Sequence, residues 1–211
     1  MNFKRFTFNY FQENTYIIWN NNECVIIDPG CSNNEEENLL ENFINNENLK
    51  PLKIINTHCH LDHVFGNYFI SNKWNTDLYI HEKELDLLQN SKTIAHEYGI
   101  DKFSSSPHPT CFLKPNEIID ICGLNFKILF TPGHSPGHVC LYDEENKILF
   151  GGDVLFKGSI GRTDLPGGDY NTLIESIQKN LLILDDEVKV LPGHGDETTI
   201  GFERKNNPFL I

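Results

Sequence analysis

Four potential metal ligands lie within six residues of one another in the first third of the chain. The motif that contains them reads Thr57-His58-Cys59-His60-Leu61-Asp62-His63. Imidazole nitrogens and carboxylate oxygens suit zinc, iron and manganese. Three histidines crowded on one loop without a metal would leave several ring nitrogens competing for hydrogen-bond partners. The motif therefore predicts a metal site rather than a hydrogen-bonded turn.

Three further single residues have the right types to complete such a site. They are His134 in the segment 131–138, Asp153 after Gly151-Gly152, and His194 in Pro192-Gly193-His194-Gly195. Each of them alone is typical of a turn, because Gly and Pro punctuate turns. In this order after the histidine motif, they indicate further ligands of the same site.

The ligands must be positioned by elements that the hydrophobic pattern predicts. A short apolar strand at 52–56 would deliver the histidine motif to a loop at its carboxyl end, where α/β proteins place binding groups. Helices are predicted at 64–74, 82–89 and 92–98, followed by an irregular loop at 103–115 that contains Ser-Ser-Ser-Pro and could border the substrate. The second half has predicted strands at 117–121, 124–131, 138–143 and 147–151, a helix at 170–182, and a strand at 187–191 before His194.

With these motifs the chain resembles the metallo-β-lactamase superfamily, and within it the short glyoxalase II-like (hydroxyacylglutathione hydrolase-like) hydrolases. The resemblance covers nearly the whole chain and includes Glu13-Asn14-Thr15-Tyr16, Val25-Ile26-Ile27-Asp28-Pro29-Gly30, the metal motifs, the segment Gly161-Arg162-Thr163-Asp164-Leu165-Pro166-Gly167-Gly168-Asp169 and the end Asn207-Pro208-Phe209-Leu210. It implies an α/β fold, the four-layer α/β/β/α sandwich. Two runs of strands and helices in similar order agree with that architecture.

The resemblance also implies how seven ligands divide between two divalent ions. The first ion would have His58, His60 and His134, the second would have Asp62, His63 and His194, and Asp153 would bridge them. We expect zinc, with iron or manganese as alternatives, because these ligands accept all three metals. A bridging hydroxide would be the nucleophile, and the carboxylates of Asp62 and Asp153 are assigned catalytic roles because they offset part of the metal charge.

Acyl thioesters are the substrates that this constellation favours, with S-lactoylglutathione as the example. A thiolate with a conjugate-acid pKa of about 8.5 leaves without a dedicated proton donor, whereas an amide or lactam requires one. The family places a cation nine residues after the bridging aspartate, and Arg162 stands there and could bind a substrate carboxylate. A salt bridge from Arg162 to Asp164 or Asp169 is the alternative interpretation.

A second reaction class uses nearly the same ligands. The Gly-Arg-Thr-Asp stretch is also similar to persulfide dioxygenases, which have a mononuclear iron site at the positions of His58, His134 and Asp153. Two histidines and one carboxylate with open positions suit iron and oxygen chemistry. A glutathione persulfide dioxygenase is therefore the alternative function, and a non-catalytic metal-binding module is a third hypothesis.

The composition limits the partners. The chain has 211 residues, 39% hydrophobic content and a formal net charge of −13. This length fits one metallo-β-lactamase-like domain over residues 1–211, without the C-terminal helical glutathione-binding domain of full-length glyoxalase II enzymes. The acidic charge argues against nucleic acid and anionic membranes as partners. The metal site would keep a net positive charge, which favours a small anionic thioester as the partner. Six scattered cysteines and no signal peptide predict a cytoplasmic protein with reduced thiols, and the oligomeric state stays open.

Overall fold

The amino-terminal segment forms a strand because its apolar side chains alternate with polar ones. In the computed structural model, which describes residues Met1–Ile211, Phe6 and Phe8 are buried while Thr7 between them is exposed. The residues form two compact units. The first unit contains Met1–Leu113 and Asp120–Leu124, and the second contains Lys114–Ile119 and Asn125–Ile211.

The first unit is built on a six-stranded sheet with the strand order β1-β2-β3-β4-β5-β6. Strands β1 to β3 pair antiparallel, and β3 to β6 pair parallel. In chain order the elements are β1 (Asn2–Phe8), β2 (Glu13–Asn20), β3 (Glu23–Ile27), α1 (Asn34–Asn46), β4 (Lys50–Ile55), α2 (Leu61–Val64), α3 (Asn67–Trp74), β5 (Asp77–His81), a 3₁₀ turn (Glu82–Glu84), α4 (Leu85–Glu97) and β6 (Cys111–Leu113).

Helix α1 begins at a capping residue and packs through one face. The side chain of Asn33 accepts hydrogen bonds from the backbone N–H groups of Glu35 and Glu36, which would otherwise have no partner within the helix. Leu40 and Ile44, four residues apart, are fully buried in the core of this unit. The same core contains Ile54 of β4 and Cys59 and Leu61 of the segment that follows, so this segment packs on the core.

A second six-stranded sheet has the order β14-β13-β10-β9-β8-β7. Strands β8, β9 and β10 pair antiparallel, and β10 pairs parallel with β13. The elements are β7 (Ile118–Ile121), β8 (Leu124–Phe130), β9 (Val139–Asp143), β10 (Ile148–Gly152), a hairpin of β11 (Leu155–Phe156) and β12 (Ser159–Ile160), α5 (Tyr170–Ser176) continued by a π-helical turn (Ile177–Leu181), β13 (Lys189–Pro192), β14 (Thr198–Thr199) and α6 (Ile200–Asn206).

Most predicted elements occur close to their predicted bounds, and the differences have physical reasons. The two helices predicted at 82–89 and 92–98 are one helix, Leu85–Glu97, after a 3₁₀ turn. Strand Asp77–His81 was not predicted, and Cys111–Leu113 lies in a loop predicted to be irregular. These two short strands pair with each other, so their conformation comes from a contact between distant segments rather than from local pattern. The prediction of a single domain stays a prediction.

No helix of the protein is long and apolar enough to cross a membrane.

None of the six cysteines forms a disulfide bond, and only Cys111 is exposed. Burial raises the pKa of the Cys24 thiol to about 12 and of the Cys122 thiol to about 11. Because the thiolate is the reactive form, we expect iodoacetamide at about pH 8 to alkylate the native protein at Cys111 alone. Mass spectrometry of digested protein measures this. All six thiols should react after unfolding without reductant, and a shortfall would contradict the prediction of reduced cysteines.

Candidate metal centre

The histidine motif runs from the loop after β4 into helix α2, with His58 and His60 on the loop and Asp62 and His63 in the helix. The side chains of His58 and His63 are fully buried, and His60 and Asp62 are partly exposed. His63 Nε2 lies 3.7 Å from Asp62 Oδ2. Two ligand atoms that share one ion at about 2.0–2.2 Å are separated by a similar distance, so this imidazole and this carboxylate can bind the same metal.

Asp28, directly after β3, supports this loop from the next strand. Its Oδ1 accepts a hydrogen bond from the Thr57 backbone N–H at 2.7 Å, and its Oδ2 accepts one from the Thr57 hydroxyl at 2.6 Å. Asp28 Oδ2 is also 3.1 Å from His63 Nδ1. Asp28 has a φ of 47°, a left-handed conformation that Asp and Asn tolerate better than other residues with a side chain.

These contacts determine which nitrogen of His58 can bind a metal. A carboxylate only accepts, so the Thr57 hydroxyl must donate its proton to Asp28. The Thr57 oxygen then accepts from His58 Nδ1, which lies 3.0 Å away. With its proton on Nδ1, His58 keeps the lone pair of Nε2 for a metal ion. The residue pattern of the chain indicated no role for Asp28 or Thr57 in orienting the ligands.

Cys59, between two of the predicted ligands, does not have the environment of a metal ligand. Its side chain lies in the hydrophobic core of the first unit, and burial raises the pKa of its thiol well above the ordinary value. The buried carboxylate of Glu84 accepts a hydrogen bond from the Cys59 backbone N–H at 2.8 Å and raises this pKa further. Cys59 therefore holds the loop through its backbone and its packing.

A second carboxyl group is buried beside His63. Glu13 is fully buried, and its Oε1 lies 4.0 Å from His63 Nδ1. Its Oε2 accepts a hydrogen bond from the Thr15 hydroxyl at 2.8 Å. Burial raises the pKa of Glu13 well above its usual range, and the nearby His63 lowers it by less. In the sequence, Glu13 is recognisable only as part of a family motif.

The second unit brings its three predicted ligands together. Asp153 Oδ2 lies 3.6 Å from His134 Nε2 and 3.4 Å from His194 Nε2. His134 Nδ1 is 2.7 Å from the backbone oxygen of Arg162. Because a carbonyl only accepts, Nδ1 must carry the proton, and Nε2 keeps its lone pair on the side of Asp153.

His138 positions Asp153 and does not have a free nitrogen for a metal. Its Nε2 accepts the Asp153 backbone N–H at 3.0 Å, so its proton is on Nδ1, which faces the Thr131 hydroxyl at 3.0 Å. His81, His96 and His108 form local contacts outside the motifs.

Gly133, directly before His134, has a backbone conformation and surroundings that require glycine. Its φ is 127°, and a Cβ atom there would overlap the backbone of Leu173 in α5. We expect Gly133→Ala to lower the free energy of unfolding by about 2–4 kcal/mol, since it combines an unfavourable φ with a steric overlap. Urea denaturation of the metal-free protein measures this change.

Gly158→Ala is the matched control, because Gly158 has a φ of 70° but nothing within 4 Å of the added Cβ. That variant should lose only the conformational cost, about 1–2 kcal/mol. If both variants lost the same free energy of unfolding, the short distance between Gly133 and the Leu173 backbone would not be what constrains Gly133.

Arg162 forms a bidentate ion pair with Asp164 on the surface of the second unit. Arg162 Nε and Nη2 donate to the two carboxylate oxygens of Asp164, each at 2.7 Å. These hydrogen bonds lower the pKa of Asp164 to about 2. The salt bridge that the sequence analysis gave as the alternative interpretation is therefore formed, with Asp164 and not with Asp169, which caps helix α5.

The first unit thus carries four of the predicted ligands, His58, His60, Asp62 and His63, and the second carries His134, Asp153 and His194. Within each unit, imidazole Nε2 atoms lie 3.4–3.7 Å from a carboxylate oxygen. Oriented imidazoles beside carboxylates are a donor set for divalent transition metals. The residues fit the predicted cofactor.

Comparison with known proteins gives consistent results. The family model described as the metallo-beta-lactamase superfamily matches residues 9–194. The chain is 40% identical to hydroxyacylglutathione hydrolase GloC of Haemophilus influenzae over 95% of this chain and 93% of that protein. It is 36% identical to the probable metallo-hydrolase YqgX of Bacillus subtilis over 100% of this chain and 98% of that protein.

Solved structures show the same fold. The crystal structure of BLEG-1 B3 metallo-beta-lactamase matches with a TM-score of 0.91 and 36% identity, covering 99% of both chains. TTHA1623 in a di-iron-bound form matches with a TM-score of 0.87 and 39% identity over 98% of this chain and 100% of that one. These matches confirm the predicted fold class.

Proposed function

Because the chain belongs to the metallo-β-lactamase superfamily, whose metallo-hydrolases it matches over nearly its whole length, we propose that it hydrolyses an acyl thioester such as S-lactoylglutathione. The observation that carries this proposal is the 40% identity, over 95% of the chain, to a hydroxyacylglutathione hydrolase. The ordered ligands in each unit support it, because hydrolysis in such a site requires oriented imidazoles and carboxylates.

The proposed cofactor is a pair of divalent ions. One ion is assigned to His58, His60 and His134, the other to Asp62, His63 and His194, with Asp153 shared. Zinc is the proposed metal and iron the alternative, since a relative at 39% identity has a di-iron form. Such ions activate water as a nucleophile and polarise the acyl carbonyl.

The protein's own groups prepare this site in two ways. Asp28, through Thr57, and the Arg162 carbonyl keep the protons of His58 and His134 on Nδ1, so both Nε2 atoms are available as ligands. The carboxylates of Asp62 and Asp153 offset part of the metal charge. The centre nevertheless stays cationic within an acidic protein, which favours an anionic substrate.

Thioesters suit these residues because the thiolate, with a conjugate-acid pKa of about 8.5, leaves without a proton donor. Arg162 is the proposed contact for a substrate carboxylate, since its planar fork matches that group. A small anionic thioester in the cytoplasm, and neither nucleic acid nor membrane, is the proposed partner.

The direct test is hydrolysis of S-D-lactoylglutathione by purified protein loaded in turn with zinc, iron and manganese. We expect kcat/KM of about 10⁴ M⁻¹s⁻¹ or more with at least one metal, the range of a native substrate. Loss of the absorbance of the thioester measures the rate, and protein stripped by a chelator is the control.

Oxygen consumption with glutathione persulfide tests the alternative function in the same preparations. The Gly161-Arg162-Thr163-Asp164 stretch is the observation that favours it. Oxygen uptake by the iron form, together with negligible thioester hydrolysis by every form, would replace the proposed hydrolase with a dioxygenase.

A further inference from the structure

The loop that carries Arg162 is tied at both ends to the segment that carries His134. The Arg162 carbonyl accepts from His134 Nδ1 at 2.7 Å, and the Asp169 backbone N–H donates to the Gly133 oxygen at 2.8 Å. The backbone of Arg162 is therefore held beside a metal ligand. Its side chain leaves this position towards solvent and is 59% exposed.

The guanidinium of Arg162 already has a carboxylate in the geometry that a substrate would use. Both oxygens of Asp164 accept from it, and Asp164 is 68% exposed. A pKa of about 2 keeps this carboxylate ionised throughout the physiological range. A substrate carboxylate can accept hydrogen bonds from the same Nε–H and Nη2–H groups only after Asp164 has left them.

We propose that Asp164 is a specificity-determining residue that competes with the carboxylate of the substrate for the guanidinium of Arg162. This inference rests on the proposed thioester hydrolysis. It adds the residue that determines how strongly the protein prefers a substrate with a carboxylate. With Asp164 in place, Arg162 presents little net charge, so a thiol carrier without a carboxylate is accepted nearly as well as one with it.

The exchange is energetically easy. Both partners are more than half exposed, and surface ion pairs of this kind are weak and screened by salt. Leaving Asp164 in water costs little, and a substrate carboxylate gains the same two hydrogen bonds. Removing the Asp164 charge should therefore raise kcat/KM for substrates with a carboxylate, relative to substrates without one, by about two- to fivefold. This is the factor that corresponds to the free energy of a surface ion pair.

A matched pair of thioesters tests this prediction. S-lactoyl-N-acetylcysteine and S-lactoyl-N-acetylcysteamine differ by one carboxylate, so the ratio of their kcat/KM values reports recognition of that group. We expect D164N to raise the ratio about two- to fivefold, and R162A to lower it. Circular dichroism and metal content of each variant show that the fold and the metal centre are intact.

A double variant separates competition from a general effect of charge. In the R162A background, D164N should leave the ratio unchanged, because there is no guanidinium for which to compete. D185N removes a carboxylate from an exposed ion pair elsewhere on the second unit and should not shift the ratio in either background.

The outcomes are distinct. An equal rise with D164N in both backgrounds, or no rise in either, would overturn the role of Asp164 while leaving thioester hydrolysis established. Failure of the wild-type protein to hydrolyse these two thioesters and S-D-lactoylglutathione would overturn the proposed function and this inference with it.

Discussion

Replacing Asp153 with Ala should abolish thioester hydrolysis and lower the metal content of the purified protein. Asp153 Oδ2 lies within 3.6 Å of the Nε2 atoms of both His134 and His194, so one truncation removes the carboxylate that the two imidazoles share. The loss in kcat/KM should exceed the roughly 10–100-fold that follows removal of a partner outside the ligand set. Turnover assays together with inductively coupled plasma mass spectrometry measure both effects.

Asp185→Ala is the control for Asp153→Ala, because it also removes a carboxylate from the second unit but from an exposed pair with Lys147. Its activity and metal content should match the wild type. Asp153→Asn adds a finer comparison, since it keeps the shape of the side chain and removes the charge. Normal turnover in Asp153→Ala would disprove the shared role of Asp153.

Replacing Asp28 with Asn should weaken metal binding by about 10–100-fold without unfolding the protein, as expected for a group that orients ligands. The asparagine amide has one oxygen and two N–H donors, so it cannot accept both hydrogen bonds that Asp28 accepts from Thr57. An amide N–H near the Thr57 hydroxyl would disturb the hydrogen bond between this hydroxyl and His58 Nδ1. The same substitution removes the carboxylate oxygen that lies 3.1 Å from His63 Nδ1. Competition with a chromogenic chelator measures the affinity.

Asparagine is chosen because it tolerates the φ of 47° at this position, whereas Ala would add a conformational cost of about 1–2 kcal/mol. Asp77→Asn, at an exposed position at the start of β5, is the control in the same unit. A metal affinity in Asp28→Asn equal to that of this control would show that Asp28 does not orient the ligands.

The sequence predicted the fold class because two signals agreed. Hydrophobic alternation located most strands, and the order of the metal motifs indicated the family. It missed strand Asp77–His81, which is only five residues long and forms between two parallel partners. It also missed helix α6. The Thr199 hydroxyl accepts a hydrogen bond from the Phe202 backbone N–H, and a threonine just before a helix is a sequence signal for its start.

The role of Arg162 shows where a pattern of residues stops being informative. Its spacing from Asp153 indicated a substrate contact, and a salt bridge was an open alternative. The structure forms that salt bridge with Asp164, and it also uses the Arg162 backbone oxygen to orient His134. Every residue has such an oxygen, so no residue type at position 162 could have indicated this second role.

The sequence by itself determined the predicted ligands and their chemistry, because imidazole and carboxylate groups were spaced along the chain in a recognisable order. Only the tertiary structure decided how those ligands are held. Asp28 accepts hydrogen bonds from Thr57, which is 29 residues away in the sequence. The Arg162 carbonyl accepts one from His134, which is 28 residues away. Hydrogen bonds between distant segments depend on how strands and loops pack, and this packing leaves no local pattern in the sequence.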